Sequence, residues 1–200
     1  VTLDNGNIFY FYGTGGGATF ENLGTLDMVS TTNFHMDQGT AKLLNTGTLR
    51  ATSAAGALIT GASATQTFDN QGKVIVDGTT ANSTLTINGT NTVVQFDGVD
   101  TLTGGDWRVL SGANTATLNL NSAPNGSITT VGAGATVVLA GANPVFPELS
   151  TTVLNVKGTF DVQDQYIHII NGNLLVDVGG TLAFGLMGAD EGATLMTGFT

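Results

Sequence analysis

Large apolar residues recur at alternate positions after a short polar signal that is itself repeated along the chain. FENLGTLDMV begins at Phe20, LLNTGTLRAT at Leu43 and FDNQGKVIVD at Phe68. Each carries an apolar residue ahead of Asn-x-Gly, then one residue and a large apolar residue that opens an alternation. The glycines Gly24, Gly47 and Gly72 recur at a nearly even spacing. FDGVDTLTG from Phe96 is a degenerate copy without the Asn, and LNVKGTFDVQD from Leu154 has one extra residue between Asn155 and Gly158. VGGTLAFG from Val178 repeats the core, and Gly158 and Gly180 continue the same spacing. A period in the low twenties is too short for a domain and too long for a heptad, so it predicts one coil of a solenoid. Gly and Asn tolerate positive φ and Asn bonds nearby backbone, so each Asn-x-Gly predicts a turn. Strand alternation then directs Leu26 and Met28, Leu49 and Ala51, Val74 and Val76, and Phe160 and Val162 to one interior face. Coils stacked about 4.8 Å apart, eight or nine of them, make a rod on the order of 40 Å long.

The expected fold is all-β: a β-solenoid of roughly 22–25 residues per coil, occupying residues 1–200 as a single segment of a longer repeat-containing protein. The competing architecture is an antiparallel β-sandwich, which also shows short strands and frequent turns, although its strands are not usually copies of one another. Residues 52–66, rich in Ala, Ser and Thr, and 142–152, with Pro144 and Pro147, read as long corners or protruding loops.

The segments NLGTL at 22–26, NTGTL at 45–49, NQGKV at 70–74 and GGTLAF at 179–184 resemble the coils of right-handed parallel β-helices in bacterial surface adhesins, including autotransporter passengers and filamentous-haemagglutinin-like exoproteins. The resemblance covers most of residues 20–185. It implies that the solenoid is a right-handed parallel β-helix and that the chain is an extracellular stalk or adhesive rod, and it carries over no catalytic residue.

Composition narrows the partners. Five Lys plus Arg against fifteen Asp plus Glu give a formal charge of −10, which repels polyphosphate, so nucleic acid is not an expected partner. Only 10% of residues are charged and 41% are hydrophobic, a balance that folds. The 29 Gly, with many Thr and Asn, penalise helix. Cysteine is absent, which excludes disulfides and thiolate chemistry. No apolar run reaches the length of a membrane helix, so membrane insertion is not expected. Val1 lacks the marks of a signal peptide, which reads as a mature or excised segment. Abundant Thr, Asn and Gly with few Lys suit a secreted or bacterial cell-surface location.

Candidate chemistry is sparse. Asp97, Asp100 and Asp106, with Trp107 and Arg108, are the one cluster to weigh as a carbohydrate-active site, since a glycosidase needs two carboxyl groups held across a bond. Solvated corner aspartates with Trp107 packed at a coil edge are the plainer expectation. His35 and His168 lack metal-binding spacing, and Asp161 and Asp164 near His168 disperse over two strand faces. GGD at 104–106 reads as a turn. The Thr-x-Thr pairs at 65/67, 84/86, 101/103 and 115/117 are too unevenly spaced for a threonine ladder. The run Phe9, Tyr10, Phe11 and Tyr12 reads as a terminal coil with one face in the core, or as an exposed aromatic edge for carbohydrate or another subunit. No catalytic, cofactor or metal residue is assigned. The functional expectation is therefore a non-catalytic structural or adhesive rod with a carbohydrate or host-surface ligand. The alternatives are a self-assembling surface-layer or filament subunit associating end to end, and a β-helix carbohydrate-active enzyme.

Overall fold

The computed structural model describes the chain apart from residues 5, 7, 62, 64, 89–92, 122, 164–166, 186–193 and 198–200, and apart from the side chains of 167–169 and 194–197. Among the described residues there is no helix. Every pairing between strands of these residues is parallel, and the strands described form two large sheets and one two-stranded ladder. The antiparallel contact is an isolated bridge between Phe96 and Leu102. The fold is a parallel β-solenoid, and the sandwich alternative is excluded.

Coil registration follows the apolar alternation. Leu26, Leu49, Val74, Trp107, Val137, Phe160 and Leu182 stand in one column. Two positions further along, Met28, Ala51, Val76, Val109, Leu139 and Val162 form a second column. Apart from the half-buried Leu182, all of these are buried. On another side of the coil Phe34, Ile59, Ile87 and Leu120 stack, and on a third Phe20, Leu43, Phe68 and Val93. Each buried side chain of this size contributes roughly 1.5–3 kcal/mol, and each stands in register with its counterparts in the coils before and after it.

The steps from Val74 to Trp107 and from Trp107 to Val137 are longer than the others in the column. These two central coils exceed the expected length, and for the first of them the cause is a splice at the degenerate copy. Val93 ends one row of strands at its bridge to Phe68. The chain then doubles back: Asp97 N–H donates to Thr101 C=O at 3.1 Å and Thr103 N–H to Gln95 C=O at 2.6 Å. Thr101 and Leu102 restart the row beside Thr130 and Val131. Gly98, with φ of 82°, belongs to this hairpin, and the glycine that stands above Gly72 is Gly105, next to the Asp106–Lys73 pair. GGD at 104–106 is accordingly a kink inside the strand Thr101–Ser111 and not a terminating turn. The two expected corner regions also contain structure. Ala57–Gly61 is a strand that buries Ala57 and Ile59. Pro144–Val145 pairs with Ala116 and Thr117, and Phe146 and Leu149 are buried.

The Asn-x-Gly signal works differently from a simple turn. Gly24, Gly47 and Gly72 do not have positive φ. A Cβ on Gly47 would collide with the carbonyl oxygen of Gly24 and lie 2.8 Å from the carbonyl carbon of Leu23, and Gly72 meets Gly47 and Thr46 in the same way. Close stacking of backbones therefore requires the glycine. The asparagines point inward: Asn22 Nδ2 donates to Asn45 Oδ1 at 2.7 Å, and Asn45 Nδ2 to Asn70 Oδ1 at 2.8 Å. The same nitrogens reach the carbonyls of Thr48 at 2.9 Å and Lys73 at 3.0 Å. Asn70 Nδ2 ends the run on the Asp106 carbonyl at 3.3 Å. A buried amide is tolerated only when its hydrogen bonds are made, and here neighbouring coils supply them to one another.

Glu148 breaks that rule. It is buried at a corner, and its Oε2 has no hydrogen-bond partner among the described residues. Burial pushes its pKa above the ordinary glutamate range, opposed by backbone N–H groups of Glu148 and Leu120. The folded carboxyl thus keeps its proton to higher pH than the unfolded one. Stability from this group is greatest below the unfolded value of about 4.3 and falls as pH rises through the raised folded value. Glu148→Gln should therefore stabilise the protein by on the order of 1 kcal/mol at pH 7 and have little effect at pH 4. Urea midpoints at the two pH values check this, and an equal effect at both would contradict it.

Candidate functional site

One row of strands, made of 8–12, 33–37, Ala57–Gly61, Ser83–Asn88 and Ala116–Leu120, turns alternate side chains outward. Ile8, Asn33, Leu58, Thr86 and Asn119 form one outer column, and Tyr10, His35, Thr60 and Asn88 form the next. Beside them the chain enters the row at the corner before Ala57, where Gly56 adopts φ of 90°. That corner walls a groove of about 480 Å³ whose lining includes Thr31, Asn33, Leu58, Thr84 and Thr86. None of its lining side chains is charged.

The polar groups on this face are tied together across coils. Thr60 Oγ1 donates to Asn33 Oδ1 at 3.0 Å and lies 2.8 Å from His35 Nδ1. The hydroxyl has one proton, spent on Asn33, so a neutral His35 donates through Nδ1 and keeps Nε2 as its acceptor. Asn119 Nδ2 donates to Thr86 Oγ1 at 3.3 Å. Tyr10 stands edge-on to His35 with ring centroids 5.2 Å apart, and is stacked with Tyr12 at 5.9 Å. Both tyrosines are about half exposed, at 49%. Phe9 and Phe11 turn to the other side and join Phe20 and Phe34 in an aromatic cluster. The aromatic run thus has one face against the core and one tyrosine face open on this chain.

A second groove, of about 370 Å³, lies over the next row and includes Gly16, Gly17, Thr40, Lys42 and Thr67 in its lining. Lys42 is committed there to Asp69 at 2.6 Å. Burial by itself would raise the Asp69 pKa and is the largest influence. Together, however, hydrogen bonds from Lys42, Gln95 and Gln71 and the charge of Lys42 outweigh it, and the carboxyl is held below its usual range. The group is a structural tie between coils.

The aspartates weighed for catalysis go to separate tasks. Asp97 Oδ1 accepts N–H bonds from Val99, Asp100 and Thr101 at 2.9, 2.9 and 3.0 Å, closing the splice hairpin. These bonds, led by Thr101, hold its pKa below the ordinary value. Asp100 accepts from the hydroxyls of Thr101 and Thr129 at 2.9 and 3.1 Å. Asp106 and Arg108 form a bidentate pair, with Arg108 Nε at 2.9 Å and 3.1 Å from the two carboxylate oxygens. Trp107, between them in sequence, points into the core, donates Nε1–H to Gly104 C=O at 2.8 Å and meets Phe68 edge-on at 6.2 Å. It is not at a coil edge as expected. Strand alternation alone separates Trp107 from its two charged neighbours.

The Thr-x-Thr pairs are divided between rows: Thr84 stands beside Thr117 on the outer face of the groove row, whereas Thr67 and Thr101 belong elsewhere. The His168 side chain and Asp164 lie outside the described residues. Sequence reasoning missed the groove because its lining comes from three successive coils, and Thr31, Asn33, Leu58 and Thr86 carry no chemical signature singly. Comparison of the chain with protein-family models, with curated proteins and with solved structures finds no match.

Proposed function

We propose that this chain is a non-catalytic structural and adhesive rod of an extracellular or bacterial cell-surface protein. The observation that supports it is the uninterrupted registration of eight strands along one side, from Thr2–Leu3 to Thr181–Phe184. Parallel ladders over a continuous apolar core resist bending, while outward positions vary freely and carry contacts. The resemblance of the Asn-x-Gly-Thr-Leu coils to those of bacterial surface adhesins points the same way. Engagement of Asp97, Asp100 and Asp106 in hairpin, hydroxyl and ion-pair contacts favours this reading over the enzyme.

The test couples adhesion to turnover. Beads coated with the chain should attach to immobilised polysaccharide or host-matrix surfaces while releasing no new reducing ends or unsaturated products, with or without calcium. Reproducible turnover abolished by Asp100→Ala would replace the rod by the enzyme.

A self-assembling subunit is a second reading, favoured by one observation. The strand Ile8–Asn22 has a partner on one side alone among the described residues, and Ile8, Tyr10 and Tyr12 are exposed along it. An unpaired edge of this length is a template for another strand. Sedimentation that rises with concentration would support that reading, and a constant monomer would remove it.

A further inference from the structure

We propose that the uncharged groove beside the corner before Ala57 binds an extended, neutral β-linked polysaccharide lying along the rod axis. The inference rests on the adhesive reading above and names its ligand class and its site. Four features point to this occupant. The groove is of ligand-binding size, about 480 Å³, with an apolar floor element in Leu58 and converging hydroxyl and amide groups, the usual construction of a small-molecule site. Its hydroxyl and amide groups lie on either side of Leu58, with Thr31 and Asn33 on one coil and Thr84 and Thr86 two coils on, separated by about twice the inter-strand spacing of 4.8 Å, so an extended polymer with repeated hydroxyls meets polar partners at both ends of the groove and the apolar Leu58 between them. Those partners are held in place before binding by the Thr60–Asn33–His35 and Asn119–Thr86 hydrogen bonds, which reduces the ordering cost of association. Tyr10 and Tyr12 stand on the same outer face, half exposed. They offer apolar ring surface with a polar tip, suited to the C–H face of a sugar.

Charge selects within the carbohydrates. The lining carries no cation to pair with a carboxylate or sulfate, and the chain as a whole carries −10. An acidic polysaccharide is therefore repelled as it approaches and unpaired once bound. A neutral chain meets neither penalty.

The probes are hexasaccharides of β-1,4-linked glucose, mannose and xylose, with a hexamer of galacturonate as the acidic comparison, titrated calorimetrically into the intact chain. At least one neutral hexamer should bind, and the galacturonate hexamer should bind at least tenfold more weakly. Thr84→Val and Thr86→Val, both in the groove lining, should each weaken the neutral ligand about fivefold or more. Thr181→Val, an exposed position on a different side of the coil, should leave affinity unchanged. Failure of all three neutral hexamers, tighter binding of galacturonate, or equal loss in the Thr181 variant would overturn the assignment. If coated beads attach to surfaces but Thr84→Val and Thr86→Val do not reduce attachment, the groove is wrong and the rod stands. If the hexamers bind in the groove but the beads attach to nothing, the adhesive role is wrong and the site stands.

Discussion

Gly47→Ala should lower the stability of the rod by about 3 kcal/mol, the upper part of the usual range for overpacking, seen as a lower denaturant midpoint. The new methyl would meet the Gly24 carbonyl oxygen and the Leu23 carbonyl carbon. These are backbone atoms of the neighbouring coil, fixed by its own ladder, so relief requires the two coils to separate. The same substitution at Gly24 provides the control: nothing lies within 4 Å of that position, and its φ is not positive. Gly24→Ala should be neutral, or stabilising by up to about 1 kcal/mol through the unfolded chain. Equal effects at the two glycines would show that local turn geometry, not contact between coils, is what selects glycine in the Asn-x-Gly signal.

Removing the middle of the amide run should cost at least as much. Asn45 accepts from Asn22 and donates to Asn70 and to the Lys73 carbonyl, and it is fully buried. Asn45→Ala strips Asn70 Oδ1 and the Lys73 carbonyl of these donors in a site without water access. Two under-satisfied buried groups plus a cavity amount to about 3–4 kcal/mol. Asn45→Asp tests the mechanism at nearly constant volume. At pH 7 it sets an anion against two acceptors, Asn70 Oδ1 and the Lys73 carbonyl, and should be no less damaging than alanine. The double variant with Asn22→Ala should lose less than the two singles added together, because they share a bond. An Asn45→Ala midpoint close to that of the wild type, or strict additivity with Asn22→Ala, would refute a cooperative run.

The interior was readable where chemistry and periodicity agree. Leu26, Leu49 and Phe160 are apolar, regularly placed and flanked by polar residues, and each is buried in the expected column. The asparagines were located correctly and interpreted incompletely. A polar side chain beside glycine suits a turn as well as a buried ladder, and only the neighbouring coils distinguish the two. At Phe96 the repeat misled. Its Phe-Asp-Gly imitates the coil signal, yet the residues after it form a hairpin, and Gly105 and Trp107 take the column positions further on. Single-chain spacing cannot register such a splice, because what fixes the alignment is the pairing of Asp106 with Lys73 across the coil boundary. The aspartates illustrate the same limit. Proximity in sequence suggested a cluster, whereas strand alternation and hairpin closure gave each carboxylate a different partner. The groove was the least legible feature, since its lining is assembled from segments a full coil apart whose side chains are individually ordinary.

The amide run also has a direction. The Nδ2 groups of Asn22 and Asn45 each lie between an Oδ1 of the next coil and a backbone carbonyl, positions that admit a donor and no acceptor, so both amides are locked in the same sense. Their small dipoles therefore add head to tail along the axis, and each bond polarises the next. Among the described residues this makes the interior of the first coils a polar filament threaded through an apolar sleeve. Coils added in the opposite sense would bring like ends of the filament together, so the sequence specifies the polarity of stacking as well as the shape of each turn.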